Sequence, residues 1–584
     1  MAVAGAGAEW KKIQNPNTTQ GGNTMKKTLA LILALVMAMS LCSFSVAEER
    51  ETAVAADGTV FYKTGLPIVD PALNYTVTMW GTTTASDPNT FEMVQKWEAD
   101  TGINFEIVGV SADGKEERKN LMWASGDYPA VLGPQIVNEN DLATYGPMGV
   151  LIDLKPYIDE YMTESRQWVS EEAWNNIWGQ LTYPNGAIYS FPTVTAYYKC
   201  DSTVPSINTT WLAKLGMDIP ETPEEFVEYL RAVKNTDLNG NGKADEVPMT
   251  TQNWEGVYEA YAVAGWTGEL TGIKQIEDGK VVLPLIGEAT KQQAIWLNQL
   301  WNEGLIDMEI YTQDENMMKG RAQNPELTFG FSTVWREGNV FGEELARNYF
   351  PMKPLKGEAG TQKWYGTQDT TYVGINWALT ANCGAPEIMA RFIDYMWDPY
   401  ISMQNNYGPY DVAWKKIEDP AYPDGLWEQV CPEGFTTIGD WFVDNHFQQV
   451  PRLCYGFHEE ANNGYGLKFK DPNLPDWRTL TTSLVDAEGR FCKGGDQKYV
   501  HDNILGDCII NDFPPVKPTQ EETDELNLIE PDFEKYVEES LTRFITGEMN
   551  IETEWDTYVE TVKSMGYERL LEIYQQQYDR YIGK

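Results

Sequence analysis

Histidine is almost absent from this chain: there are three in 584 residues, at positions 446, 458 and 501. No HExxH, GxSxG or glycine-rich phosphate loop accompanies them in a fitting context, so the usual zinc-protease, serine-hydrolase and nucleotide signatures are missing. Basic residues are also scarce, 44 Lys and Arg against 87 Asp and Glu, a net charge of −43. So acidic a surface disfavours nucleic acid and anionic membranes as partners. It suits a neutral or cationic ligand. None of the seven cysteines forms a CxxC pair, which speaks against a zinc site. Six of them follow the N-terminal region: Cys200, Cys383, Cys431, Cys454, Cys492 and Cys508. An even number in an exported chain permits disulfides, with Cys492 and Cys508 the pair nearest in sequence, and buried free thiols fit equally well. Beyond the N-terminal region no apolar run approaches the roughly 20 residues of a membrane span.

The N-terminal region points to export. Met25-Lys26-Lys27 precedes an apolar run from Leu29 to Met39, and Ser45-Val46-Ala47 follows. A basic start, a short apolar core and small residues at a cleavage point make a secretory signal, expected over 25–47. Residues 1–24 are polar and Gly-rich and fit no signal. Gln20-Gly21-Gly22 permits codons that contain a bacterial ribosome-binding sequence, so Met25 is the expected start. Cleavage after Ala47 and lipid anchoring at Cys42 both remain open, although Leu41 is an unfavourable neighbour for the second. Cleavage after Ala47 leaves 40 basic and 86 acidic residues, a net charge of −46. The expected location is the outer face of the cell membrane or the periplasm.

Residues 48–74, mixed in charge with Pro67 and Pro71, read as a flexible tether. Tyr75–Trp80 alternates like a strand. Asp87-Pro88 opens a helix with Phe91, Val94 and Trp97 on one face, closed by Gly102. Phe105–Val110 is a second strand, and Glu116–Ser125 a second helix stopped by Gly126. Strand, helix, strand, helix implies a parallel α/β sheet. Tyr183–Tyr189 reads as a hairpin on an Asn-Gly turn. Thr222-Pro223-Glu224-Glu225 is a capping box with a first-turn proline. Lys291–Glu303, Pro386–Trp397 and Asp532–Tyr581 read as helical. Glu418–Pro518 resists assignment.

The sharpest motif is Asp237-Leu-Asn239-Gly-Asn241-Gly242-Lys243-Ala-Asp245-Glu246. Oxygen side chains at positions 1, 3 and 5 and Gly at position 6 are how a loop wraps Ca²⁺, which wants six to eight oxygens. The Lys243 carbonyl supplies another. Position 12 is Pro248 where an EF-hand has Glu, so Asp245 and Glu246 must close the shell. A structural Ca²⁺ is the expectation, and the alternative is a solvated Asx-rich turn.

Several segments carry a resemblance. Leu121-Met122 with Ser125-Gly126-Asp127-Tyr128-Pro129 resembles the "LASGDxPD" stretch of the family 1 extracellular solute-binding proteins. Trp211-Leu-Ala-Lys-Leu-Gly216 before the capped helix resembles their "WLDKLGL" stretch. Asp278-Gly-Lys280, Asn302-Glu-Gly-Leu-Ile-Asp307, Phe392-Ile-Asp-Tyr395 and Gln575-Gln-Gln-Tyr-Asp-Arg-Tyr581 are similar to family segments in the same order. The cation loop resembles that of the alginate-binding branch. Asp411 stands where the family has Gly, and Ala130 replaces an Asp.

The resemblance implies an α/β, two-lobed periplasmic-binding-protein-like fold with hinge-crossing strands and a cleft between the lobes. The lobes are expected over 75–196 with 359–412, and over 197–358 with 413–584. The implied function is capture of an oligosaccharide and delivery to ABC-transporter permease subunits, by a monomer that is no enzyme. The 21 Trp and 31 Tyr agree with a sugar ligand, whose C–H faces pack on aromatic rings, although most of these belong in cores. Loop-end positions single out Trp80, Thr82 and Thr83 after the first strand, and Gln135 after Val131-Leu132. Tyr197 and Tyr198 lie near the first lobe crossing. Trp335, after Phe329-Gly-Phe-Ser-Thr-Val, stands where sugar-binding relatives put a stacking Trp. An exported carbohydrate-active enzyme, or a binder of peptides or another small solute, remains the alternative.

Overall fold

A computed structural model describes residues 50–584 apart from 84–86, 112–113, 196–203, 252–273, 314, 335–336, 358–359, 367–371, 411, 420–421, 436–437, 448–449, 455–475, 479–499 and 512. Two sheets organise it. The larger has six strands, in the order Arg452–Cys454, Phe191–Thr195, Tyr372–Leu379, Val131–Leu132, Tyr75–Thr82 and Ile103–Val110. The smaller has four, in the order Tyr349–Pro351, Val204–Asn208, Phe329–Val334 and Val247–Thr251. Each has its own core, as a two-lobed α/β protein requires.

The opening follows its local signals. Asp87 accepts from Asn89 N and starts a short turn, after which the helix Glu92–Thr101 buries Met93, Val94 and Trp97. Gly102 ends it in the left-handed conformation at φ 74, and Gly126 ends Lys115–Ser125 in the same way at φ 73. Trp97 is fully buried between Trp377 and Phe392, edge to face with each. Burying an aromatic of this size is worth about 3 kcal/mol, so such clusters rather than helix propensity fix the lobe. Thr222 and Glu225 complete the capping box of Pro223–Lys234, which presents Phe226, Leu230 and Val233 to the smaller sheet's core.

Three expectations change. The segment expected as a tether packs from Thr52 on. Thr52–Val54 pairs with Val60–Tyr62, and Ala55, Phe61, Ile68 and Val69 join the larger core. Ile68 N and Val69 N both donate to Thr101 O. Four apolar side chains and two satisfied amides hold this stretch in place. Second, Ala413, Trp414, the helix Ile438–Asn445 and Val450–Leu453, expected with the second lobe, pack on the first. Trp414, Trp441, Phe442, Phe447 and Val450 join the larger core, and Arg452–Cys454 pairs in parallel with Phe191–Thr195. Third, Tyr183–Tyr189 is a tight turn, with Ala187 N bonded to Asn185 Oδ1 and Tyr183 N bonded to Ala187 O, and carries no strand ladder. The C-terminal helical region is three helices, Gln520–Thr546, Ile551–Ser564 and Tyr567–Tyr581, parted at Gly547 and Gly566. Cys383 and Cys508 are buried free thiols, and Cys492 lies outside the described residues. Burial pushes the Cys383 thiol up to about 12.

Candidate ligand cleft and cation loop

Strand directions show which sheet edges the first crossing links. Tyr75–Thr82 runs parallel to Ile103–Val110 and to Val131–Leu132. Tyr372–Leu379 is antiparallel to Val131–Leu132 and to Phe191–Thr195, so Phe191–Thr195 shares the direction of Tyr75–Thr82. Thr195 therefore ends at the same sheet edge as Thr82, and Tyr372 begins there. The smaller sheet mirrors this. Val204 pairs with Val334, and Phe329–Val334 runs parallel to Val247–Thr251, so Val204 begins at the edge where Val334 and Thr251 end. Residues 196–203 join Thr195 to Val204. The first link between the two sheets therefore leaves the carboxyl edge of the larger sheet and enters the carboxyl edge of the smaller one, and carboxyl edges are where α/β sheets hold ligands.

On the larger sheet this edge is built closely. Gly133 N donates to Trp80 O at 2.8 Å, Thr82 N to Pro134 O at 3.0 Å, and Thr83 N to Val110 O at 3.0 Å. A Cβ at Gly133 would stand 2.7 Å from Trp80 O, so only glycine permits this approach. Gln135 follows with φ 58, left-handed for a residue with a Cβ, and its side chain is exposed. Strained backbone at a ligand-facing loop is a recurrent feature of binding sites. The Thr82 hydroxyl is buried with no hydrogen-bond partner. Trp80 is half-buried and lies under the Arg118 guanidinium, 4.7 Å from the ring centroid.

On the smaller sheet the edge is braced by a buried polar network. Thr250 Oγ1 donates to Asp307 Oδ2 at 2.8 Å, and Arg321 Nη1 donates to the same oxygen at 2.7 Å and to Gln313 Oε1 at 2.7 Å. Gln313 Nε2 returns to Thr251 O at 2.8 Å. These bonds fix the last residues of Val247–Thr251 without drawing on a ligand.

The cation loop lies at the other end of the same strand, between Lys234 and Val247. It cannot touch a ligand at Thr251. Asp237 accepts from Gly240 N at 2.7 Å and Gly242 N at 2.8 Å, and Asn241 N donates to Asn239 Oδ1 at 2.8 Å. Lys243 N donates to Asn241 Oδ1 at 2.9 Å, and Asn241 Nδ2 to Asp245 Oδ1 at 3.0 Å. Glu246 is buried; its Oε1 accepts from Leu238 N at 2.5 Å and Asn239 N at 2.9 Å, while its Oε2 is buried without a partner. Asn239 Nδ2 ties the loop to Glu326 O at 3.0 Å. Among the described residues no three His, Cys, Asp or Glu side chains gather as a metal cluster. Any cation here would draw on Asn and backbone oxygens beside the carboxylates. The unmatched Glu246 oxygen fits a cation, since a buried carboxylate oxygen without a donor is costly.

No family model matches the chain. The fructooligosaccharide ABC transporter substrate-binding protein FusA of Streptococcus pneumoniae serotype 4 (strain ATCC BAA-334 / TIGR4) is 26% identical over 580 residues, 96% of this chain and 98% of its own length. The solved structure of S. pneumoniae FusA in complex with kestose has a TM-score of 0.71 at 24% identity, over 87% of this chain and 99% of that one. A FusA EF-hand mutant in complex with fructo-nystose gives 0.69 at 24% over the same shares. Alginate-binding protein AlgQ2, solved without calcium ion, gives 0.63 at 20% over 87% and 98%. The fold is the one these solved structures share.

In this fold Trp80, Thr82, Thr83 and Gln135 come together at one sheet edge. Asp237, Asn239, Asn241, Lys243, Asp245 and Glu246 form one loop. Tyr197, Tyr198 and Trp335 lie outside the described residues. Sequence reasoning missed Arg118, which covers one face of Trp80 and leaves that ring less free for a sugar. Its signal was position, one turn into the helix after the second strand. Gly133 and Phe447 were missed as well: a Cβ on Gly81 would meet the Phe447 ring at 3.1 Å, a contact 366 positions away that no local pattern announces.

Proposed function

We propose that this protein captures an oligosaccharide in the interlobe cleft and delivers it to ABC-transporter permease subunits. The observation that supports the reading is the strand direction: the first link between the sheets joins the carboxyl edge of one to that of the other, and the Trp80–Thr83 strand end and Gln135 stand at the larger sheet's carboxyl edge. Alignment over nearly the whole length of FusA, a fructooligosaccharide-binding protein by name, supports the ligand class. A fructooligosaccharide is the first ligand to test. Thr82, Thr83 and Gln135 supply hydroxyl and amide partners for sugar hydroxyls, Trp80 supplies an edge for its apolar face, and Tyr197, Tyr198 and Trp335 are further candidates on sequence grounds. The chain works as a binder with no chemistry of its own, acts as an exported monomer, and has its lobe boundaries near 196 and 359–371.

The 237–246 loop holds Ca²⁺ in this reading. Asp237, Asn239, Asn241, Asp245 and Glu246 offer side-chain oxygens and Lys243 its carbonyl; the ion supplies charge to the buried Glu246 carboxylate and stiffens the entry to Val247–Thr251. No helix among the described residues is long and apolar enough to cross a membrane.

A thermal-shift screen across fructooligosaccharides, other oligosaccharides, peptides and polyols tests the ligand class. A ligand at 100 times its dissociation constant stabilises by about 2.7 kcal/mol, well within detection. Shifts with oligosaccharides and unchanged sugar chains afterwards are expected. Shifts with peptides alone, or hydrolysed sugar, would refute the reading.

A further inference from the structure

We infer that Lys517 is an interlobe positioning residue: one lobe fixes its backbone, and its ammonium is seated in the other lobe beside the cleft edge. At its base, the Lys517 carbonyl accepts from Arg580 Nη2 at 3.2 Å. The same guanidinium grips Glu522 through two bonds of 3.0 and 2.7 Å. Thr519 and Glu522 form the capping box of Gln520–Thr546. That helix buries Phe533, Val537, Leu541 and Phe544 in a core with Leu283, Trp555 and Tyr558, so the base moves with this lobe.

The tip belongs elsewhere. Lys517 Nζ pairs with Glu139 Oε1 and stands 5.8 Å from the centroid of the Tyr183 ring. The Tyr183 hydroxyl donates to Glu139 Oε2 at 3.2 Å. Tyr183 packs in a core with Leu132, Leu142 and Ala378 of the larger sheet's lobe. Glu139 opens the helix Glu139–Tyr145, four residues after Gln135. A second contact, Asn527 Nδ2 to Thr144 Oγ1 at 3.5 Å, joins the helix that follows Lys517 to the helix that Glu139 opens.

The Lys517 side chain is 5% exposed and that of Glu139 50%. A buried ammonium needs its counter-charge, whereas a half-exposed carboxylate can return to water. Opening the cleft draws the ammonium off Glu139, so the pair favours the arrangement in which the walls are together. Its loss lowers the binding-competent fraction and weakens apparent affinity in proportion.

The test measures the radius of gyration of the ligand-free protein by small-angle X-ray scattering. This arm does not depend on the oligosaccharide reading; only the affinity arm rests on it. Glu139→Gln and Lys517→Met are expected to enlarge the particle, Glu139→Gln more because it strands a buried charge, while circular dichroism stays native. The charge swap of Glu139→Lys with Lys517→Glu is expected to restore compactness. For a ligand found by the screen, the single variants should bind about 5- to 10-fold more weakly. Wild-type dimensions in both single variants, or a swap as expanded as either, would overturn the assignment.

Discussion

Glu246 has one carboxylate oxygen satisfied by two backbone amides and one buried with nothing to bond. A bound cation resolves that imbalance. Chelator should lower the melting temperature of the wild type, by a loss of about 1–3 kcal/mol of stability. Glu246→Gln should start lower and respond little to chelator, as calorimetry with and without Ca²⁺ will show. Gln135 gives the opposite sign. Its left-handed φ of 58 costs a residue with a Cβ about 1 kcal/mol, so Gln135→Gly should raise stability by up to that amount while weakening the ligand. A denaturant midpoint and a titration on one variant separate the two effects. His446 is buried, its Nε2 lies 3.0 Å from Asn405 O, and burial pulls its imidazole down to about 4. A depressed folded value means that the unfolded chain takes up the proton first. The stability tied to a neutral His446 is complete above about pH 6.5 and is lost as pH falls to about 4, by up to about 3 kcal/mol. His446→Gln should lose that part of the pH slope in urea titrations between pH 7 and 4.5.

At the scale of elements, what could be read from the sequence was whatever its own neighbours decide. Thr222 with Glu225, Gly102 and Gly126 set helix ends through bonds within a few residues, and those ends stand where the pattern put them. The cation loop is equally local. Long-range pairing was not legible. Arg452–Cys454 is three residues long and gains its place by pairing with Phe191–Thr195, far away in sequence. Phe61, Ile68 and Val69 are too few to show a period, so the start of the fold read as a tether. The segments that carried the family resemblance serve mostly as braces. Asp307 holds Thr250 and Arg321, Asp394 accepts from the amides of Thr163, Glu164 and Ser165, and Gln575 accepts from Val281 N. They mark the fold rather than the ligand, which is why the site residues had to be placed by strand ends. Gly133 belongs to the same scale: Gly133→Ala would drive a methyl into Trp80 O and should cost about 1–3 kcal/mol, with ligand binding reduced beyond what the lower stability explains. Chemical denaturation beside a titration at a temperature where the variant is folded checks both parts.

For the whole molecule, the two main sheets each have a core and are linked from carboxyl edge to carboxyl edge, and the acidic surface suits a neutral or cationic ligand. The cation loop sits at the far end of Val247–Thr251 and steadies one wall from behind. Hydrogen exchange with and without a bound oligosaccharide tests this arrangement most directly, because it reports which backbone the ligand protects. Slowed exchange is predicted at 80–83, at 133–136 and around 249–251 and 332–334, with the 237–246 loop unchanged. Protection confined to other segments, or to the cation loop, would contradict a ligand held between the facing sheet edges.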